Sequence, residues 1–284
     1  PIYVAMDSAD TWANPWLFKL DEKNCPTQVA GCPPDGFSAT GQLWGNPLYN
    51  WEVHRNSGYE WWIKRIANCF RLYDVVRIDH FRGFDEYYAI PYGDATAENG
   101  WWEKGPGIDL FRAISASLGD REIIAEDLGY MTDSVKRLVE ESGYPNMKVI
   151  EFAFDERDTG NASDYLPHNY PRNCVVYTGT HDNETLLSWL EDITPAERRQ
   201  VRKYLNNFKD SGKELCDDLI CLVMQSVANL CIVPMQDYLG LDNSARMNQP
   251  STLGKNWKWR LKEGQFTAEL QKEMLELATR YGRK

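Results

Sequence analysis

Three stretches of the chain set a short apolar run against carboxylates, with glycine a few residues away: DVVRIDHFRG at 74–83, REIIAEDLG at 121–129 and VVYTGTHDNET at 175–185. Asp and Asn at one strand end are readily explained as a turn or a helix cap. Three such endings look like one wall of chemistry. Residues two apart in a strand share a face, so Arg77 and Asp79 point the same way, and a guanidinium beside a carboxylate favours the ionised form that a nucleophile needs. The bland alternative is a buried ion pair. Glu126 follows Ile123, Ile124 and Ala125, an apolar setting that raises a carboxyl pKa and suits a general acid. Periodicity alone leaves its neighbour Asp127 as a competitor. Asp182, beside His181, supplies a third carboxylate able to stabilise positive charge. His181 on its own reads as a hydrogen-bonded structural residue, and no His and carboxylate set at metal-ligand spacing surrounds it. Two carboxyl groups in unlike environments are the equipment of a glycosidase, one attacking the anomeric carbon and the other protonating the leaving oxygen.

Composition narrows the field. A net charge of −11 disfavours nucleic acid and anionic membranes, which call for a concentrated basic surface. No apolar stretch is long enough to span a bilayer and no secretory leader opens the chain, so a cytoplasmic location is expected. Seven cysteines without a CxxC pair suggest neither a zinc site nor a disulfide framework. Eleven Trp and fifteen Tyr are more than a core of this size needs. Several fall in Gly- and Pro-rich stretches such as GQLWGNPLYNW, where flat rings suit the apolar faces of sugars.

The elements that must position these residues alternate between strand and helix. Strand-like PIYVAMD, DVVRIDHF, EIIAEDL, MKVIEFAFD, CVVYTGTHD and CIVPMQD are interleaved with helix-like YEWWIKRIANCFRLY, PGIDLFRAISASLG and SVKRLVEESG, the last closed by Gly143. Thr194, Pro195 and Glu197 form a capping box at the start of AERRQVRKYLNNF. A further helix, ELCDDLICLVMQSVANL, precedes CIVPMQD, and TAELQKEMLELATRYG is the last. Continuous apolar strands alternating with helices predict a parallel sheet, either doubly wound or a (β/α)8 barrel. The GxGxxG fingerprint that would favour the first, and with it a nicotinamide-dependent oxidoreductase, is missing. Carboxylates at several strand ends favour the barrel. Six strands leave an eight-stranded barrel two short, and the chain opens inside a strand, so it reads as the C-terminal part of a longer protein. Residues 26–51 show no helical or strand period and are expected to form a long loop over the site.

RIDHFRG, AEDLG and YTGTHDNET, together with PPDGFSATGQLWGNPLYNW and ARMNQPS, strongly resemble the amylomaltases, the 4-alpha-glucanotransferases of glycoside hydrolase family 77. The resemblance runs in order from PIYVAMDSADTW to NWKWRL. It implies an α/β fold, the (β/α)8 TIM-type barrel of the alpha-amylase superfamily, with this chain supplying strands 3 to 8 and loop insertions as one catalytic domain over 1–284. It implies Asp79 as nucleophile, Glu126 rather than Asp127 as acid/base, and Asp182 as transition-state stabiliser. Arg77 supports the nucleophile, His80 and His181 hydrogen-bond the donor sugar, and Asp35, Trp44, Asp7 and Asn248 are further substrate-binding residues. The implied reaction is transfer of alpha-1,4-glucan segments between maltooligosaccharides or amylose through a covalent glycosyl-enzyme, with no cofactor and no metal. A hydrolase of the same superfamily and an inactive glucan-binding fragment are the alternatives. The resemblance also implies a preceding segment with the first two strands, whether on another chain, cleaved but retained, or outside the residues at hand.

Overall fold

The computed structural model describes residues 1–34, 38–129, 131–156, 162–209, 211–250 and 252–283. The chain divides into two compact units, Pro1–Asn146 and Met147–Lys284.

The first unit holds β1 (Gln28–Cys32), β2 (Gln42–Pro47), β3 (Val76–Ile78), β4 (Glu86–Pro91), β5 (Trp101–Lys104) and β6 (Ile123–Ala125), and ends at the first residue of β7 (Asn146–Val149). β3 and β6 run parallel, pairing Val76 with Ile123, Arg77 with Ile124 and Ile78 with Ala125. Ala125 in turn pairs with Asn146. Asp79 and Glu126 are therefore the residues that follow the last rung of one ladder. Helices Glu60–Cys69, Ile108–Leu118 and Asp133–Ser142 bury one face each, through Trp62 and Ile66, through Leu110, Phe111 and Ile114, and through Val135, Leu138 and Val139. Trp62, Phe84, Phe81 and Phe111 form a continuous run of ring contacts at 4.7 to 5.7 Å. As the sequence predicts, Gly143 closes the third helix with φ +71°.

Two expectations are corrected. PIYVAMD is not a strand: Ile2 and Tyr3 are buried, but the local carbonyls are taken by side chains, Tyr49 and Arg65 donating to Ile2 and Asn46 to Val4. The stretch 26–51 is not one long loop, because Gln28–Cys32 and Gln42–Pro47 within it are β1 and β2 of an antiparallel sheet of order β2-β1-β4-β5. The alternation was hidden by Gly31, where a Cβ would fall 2.1 Å from the Gln42 carbonyl oxygen; a bulge between Val29 and Gly31 shifts the register there.

The second unit contains the parallel pair β8 (Cys174–Tyr177) and β9 (Leu230–Ile232), with Val175 opposite Leu230 and Tyr177 opposite Ile232. All four residues of β8 are buried. Helix Pro195–Leu205 starts on the expected capping box, Thr194 accepting from the Glu197 amide and Glu197 from the Thr194 amide. Helix Gly212–Met224 buries Leu215, Cys216, Leu219, Ile220, Val223 and Met224. No helix among the described residues is long and apolar enough to cross a membrane.

Candidate active site

In the first unit the β3 and β6 ends place three polar groups together. The Glu126 amide donates to the Ile78 carbonyl at 3.0 Å and the Phe81 amide to the Glu126 carbonyl at 2.9 Å, so the ladder continues past both strands. His80 sits in the left-handed region at φ +52°, and its amide turns back to donate to Glu126 Oε2 at 2.6 Å. The Leu128 amide donates to Oε1 at 2.8 Å. Glu126 is thus gripped by two backbone donors and needs no side chain to orient it. Burial, and then the neighbouring Asp79 carboxylate, push the Glu126 pKa up to about 7 against the opposing pull of those amides and of Arg77. Half-exposed Asp79 has its Oδ1 at 3.6 Å from Arg77 Nη2, the same-face pairing that strand alternation predicts. Asp127 faces elsewhere and accepts from Asn146 Nδ2 at 3.3 Å.

The His80 ring meets Trp44 edge to face, with centroids 4.8 Å apart. Its buried Nε2 has no hydrogen-bond partner among the described residues. Burial, reinforced by the Arg82 cation, lowers the His80 pKa to about 3, which leaves a neutral imidazole. Trp44 lies on β2, also contacts Tyr3 at 6.2 Å, and is partly exposed. Asp7 lines an open hollow of about 570 Å³ with Met6, Ser8, Trp12 and Pro15, and none of Asp79, Glu126 and His80 lines it. Asp35 lies outside the described residues.

Asp182 belongs to the second unit, in the turn that leaves β8, and is held in a different way. Asn248 Nδ2 donates to Asp182 Oδ1 at 2.5 Å, and His181 Nε2 lies 3.2 Å from Oδ2. Arg246 Nη2 donates to the Asp182 carbonyl at 2.6 Å and reaches Glu184 through Nη1 at 3.7 Å. The Asn248 amide donates to the His181 carbonyl, and the His181 ring is 5.1 Å from Trp257. Both oxygens of the half-exposed Asp182 carboxylate are therefore oriented by side chains. Arg246 and Trp257 escaped the reading of strand ends, although they lie in the ARMNQPS and NWKWRL stretches. Their roles depend on contacts across more than sixty residues of chain, which no local pattern encodes.

The sequence pattern of 4-alpha-glucanotransferases, glycoside hydrolase family 77, matches residues 1–267. The chain belongs to this family. The 4-alpha-glucanotransferase of Streptococcus pneumoniae is 51% identical over 100% of the chain and 55% of its own length. That of Clostridium butyricum is 49% identical, over 100% of the chain and 58% of its length. The chloroplastic/amyloplastic 4-alpha-glucanotransferase of Solanum tuberosum is 44% identical over 100% of the chain and 49% of its length. The chain spans about half the length of these curated relatives. Among solved structures, amylomaltase from Streptococcus agalactiae in complex with acarbose superposes with a TM-score of 0.93 at 41% identity, over 99% of the chain and 56% of the neighbour. Amylomaltase from Corynebacterium glutamicum, at 19% identity and a TM-score of 0.72 over 99% of the chain and 44% of the neighbour, shares the fold. The fold class of this 4-alpha-glucanotransferase-family chain is accordingly the α/β barrel class of the amylomaltases, and its parallel strands with intervening helices are part of that design.

Proposed function

We propose that the chain carries the catalytic groups of a 4-alpha-glucanotransferase that moves alpha-1,4-glucan segments between maltooligosaccharides or amylose chains by a retaining double displacement. One observation carries the reading: a buried carboxyl group with a pKa near 7, fixed by two backbone amides, beside an exposed carboxylate paired with an arginine. In the first step the Asp79 carboxylate attacks the anomeric carbon of the donor, while Glu126 gives its proton to the departing glycosidic oxygen. The product is a covalent glycosyl-enzyme with inverted anomeric configuration. Glu126, now ionised, takes the proton from the 4-hydroxyl of an acceptor sugar as that oxygen displaces Asp79, and a second inversion restores the original stereochemistry. Asp182 stabilises the positive charge that develops on the sugar ring in both steps.

Arg77, its Nη2 3.6 Å from Asp79 Oδ1, aims the nucleophile. His80, neutral at physiological pH, offers to a sugar hydroxyl the ring nitrogen that has no partner among the described residues, and Trp44 offers an apolar ring face beside it. His181 and Asn248 hold Asp182 and contact sugar through their remaining polar atoms; Asp7 is a substrate contact at the hollow that it lines. The region of β1 and β2 covers the acceptor, which favours a sugar hydroxyl over water. A cytoplasmic location fits the substrate class. The acarbose bound to the Streptococcus agalactiae neighbour supports an oligosaccharide-sized ligand.

The test is incubation of the chain with maltotriose and separation of products by length. Glucose together with maltopentaose and longer chains establishes transfer. Glucose and maltose alone assign a hydrolase, and no products from a chain that still binds maltooligosaccharide assign an inert binding fragment.

A further inference from the structure

Glu151 is a deeply buried acid of the second unit that the proposed reaction does not use. It lies in the short helical turn Ile150–Phe152 that follows β7 and is 5% exposed. Its carboxyl group lies directly beneath the turn that leaves β8. A Cβ added to Gly179 would stand 2.7 Å from Glu151 Oε1, so the acid packs against bare backbone and a side chain there would have to displace the carboxyl group.

At the same spot the Asn183 Cβ would stand 3.3 Å from a Cβ on Gly179, so Asn183 and Glu151 flank one stretch of backbone. Asn183 is one of the groups that oppose the rise of the Glu151 pKa, and its hydrogen bonds lead to Asp182. Asn183 Oδ1 is already occupied, accepting from the Thr180 amide at 2.9 Å and from Thr180 Oγ1 at 2.7 Å. The Asn183 side chain is thus committed to the turn through its oxygen. Thr180 Oγ1 in turn accepts from the Asp182 amide at 3.3 Å. On the far side the same turn is tied to Asp237, which accepts from Thr178 Oγ1 at 2.5 Å and from the Leu186 amide at 2.9 Å. The segment that carries Asp182 is thus held from below by two buried acids.

We propose that Glu151 is a positioning residue for Asp182: seated against Gly179 beside Asn183, its carboxyl group sets the conformation of the turn from which the Asp182 carboxylate projects. The inference rests on the reading of Asp182 as a catalytic group. Glu151 does this as a neutral acid. Burial, then the Asp237 and Glu184 carboxylates, raise its pKa well above the usual range, with Arg246 and Asn183 acting the other way. Its Oε1 has no hydrogen-bond partner among the described residues, a position that a full negative charge could not hold without one.

Two substitutions separate positioning from mere packing. Glu151→Gln reproduces the neutral acid, with one acceptor and one donor group. Glu151→Asp keeps the acid but withdraws it by one methylene from Gly179 and Asn183. Val223→Ala, a truncation in the fully buried face of helix Gly212–Met224, supplies a destabilised control. Backbone amide resonances of Gly179, Thr180, Asp182 and Asn183 are recorded for all three, with kcat and KM for maltotriose. Glu151→Asp is expected to displace these four amides and to lower kcat roughly 10- to 100-fold, with KM changed no more than about threefold. Glu151→Gln leaves the amides near their original positions and kcat within about threefold. Val223→Ala lowers Tm without either effect. Unmoved Thr180 and Asp182 amides in Glu151→Asp overturn the proposal, as does a kcat loss matched by Val223→Ala at equal loss of Tm. Should the unsubstituted chain transfer no glucan, the functional reading fails while the amide shifts still decide whether Glu151 positions the turn.

Discussion

Glu126 and Asp182 are both carboxylates at the end of a parallel strand, and the molecule fixes them by opposite means. Glu126 is buried and takes its orientation from the His80 and Leu128 amides, which are themselves set by the β3–β6 ladder. Asp182 is half exposed and takes its orientation from the Asn248 and His181 side chains, with Arg246 holding its carbonyl. A backbone grip is insensitive to neighbouring side chains and leaves the acid desolvated, which raises its pKa for proton transfer. A side-chain grip leaves the carboxylate half exposed and paired, as suits the proposed role of facing cationic character on a sugar. The difference teaches where each half is vulnerable: the first to changes in the reacting groups alone, the second also to changes in distant residues.

The largest effects sharpen the first half of this contrast. Asp79→Asn and Glu126→Gln should each lower kcat for maltotriose transfer by about 10⁴-fold or more, with the fold intact by circular dichroism. A loss of less than about tenfold in either would remove that residue from the chemistry. Asp182→Asn should cost about 10² to 10³-fold in kcat. The contrast itself is at stake in Asn248→Ala, which touches no reacting atom of the first unit yet frees one Asp182 oxygen. Loss of a hydrogen bond to a charged group predicts a drop in kcat of roughly 10- to 100-fold. Replacing the side chains of His80 and Leu128, whose amides hold Glu126, should leave the Glu126 pKa within about one unit of its value; carbon-13 titration of the glutamate carboxyl measures this. A shift as large as the desolvation effect itself would break the comparison.

Smaller effects follow from Trp44 and Arg77. Trp44→Ala removes the ring beside His80 and should lower the ratio of transfer to hydrolysis several-fold, read from reducing ends against longer products. An unchanged ratio would separate β2 from acceptor selection. The alkaline limb of kcat/KM should fall near pH 7, because Glu126 must enter the reaction protonated and its pKa is raised to about 7. Arg77→Met removes a cation that lowers this pKa, so the limb should move to higher pH by a fraction of a unit.

The same contrast explains how far the sequence could be read. Asp79 and Glu126 were legible because each ends an apolar run and strand alternation pairs Arg77 with Asp79, a purely local pattern. The choice between Glu126 and Asp127 was not, since it depends on which neighbour meets the turned-back His80 amide and which meets Asn146. Five of the six expected strands formed, while PIYVAMD did not, because side chains of Asn46, Tyr49 and Arg65 satisfy its carbonyls. β1 and β2 were missed where Gly31 and a bulge broke the period of two. Arg246, Trp257 and Glu151 act through contacts between distant segments, and such contacts leave no periodic trace.

The most direct test of the division of labour between the two carboxylate settings is covalent trapping. The chain is treated with 5-fluoro-alpha-glucosyl fluoride, digested, and the adduct located by tandem mass spectrometry. The account predicts one glucosyl adduct, on Asp79, that disappears on addition of maltose as acceptor. An adduct on Asp182, or glucan transfer that proceeds with no adduct at all, would contradict it.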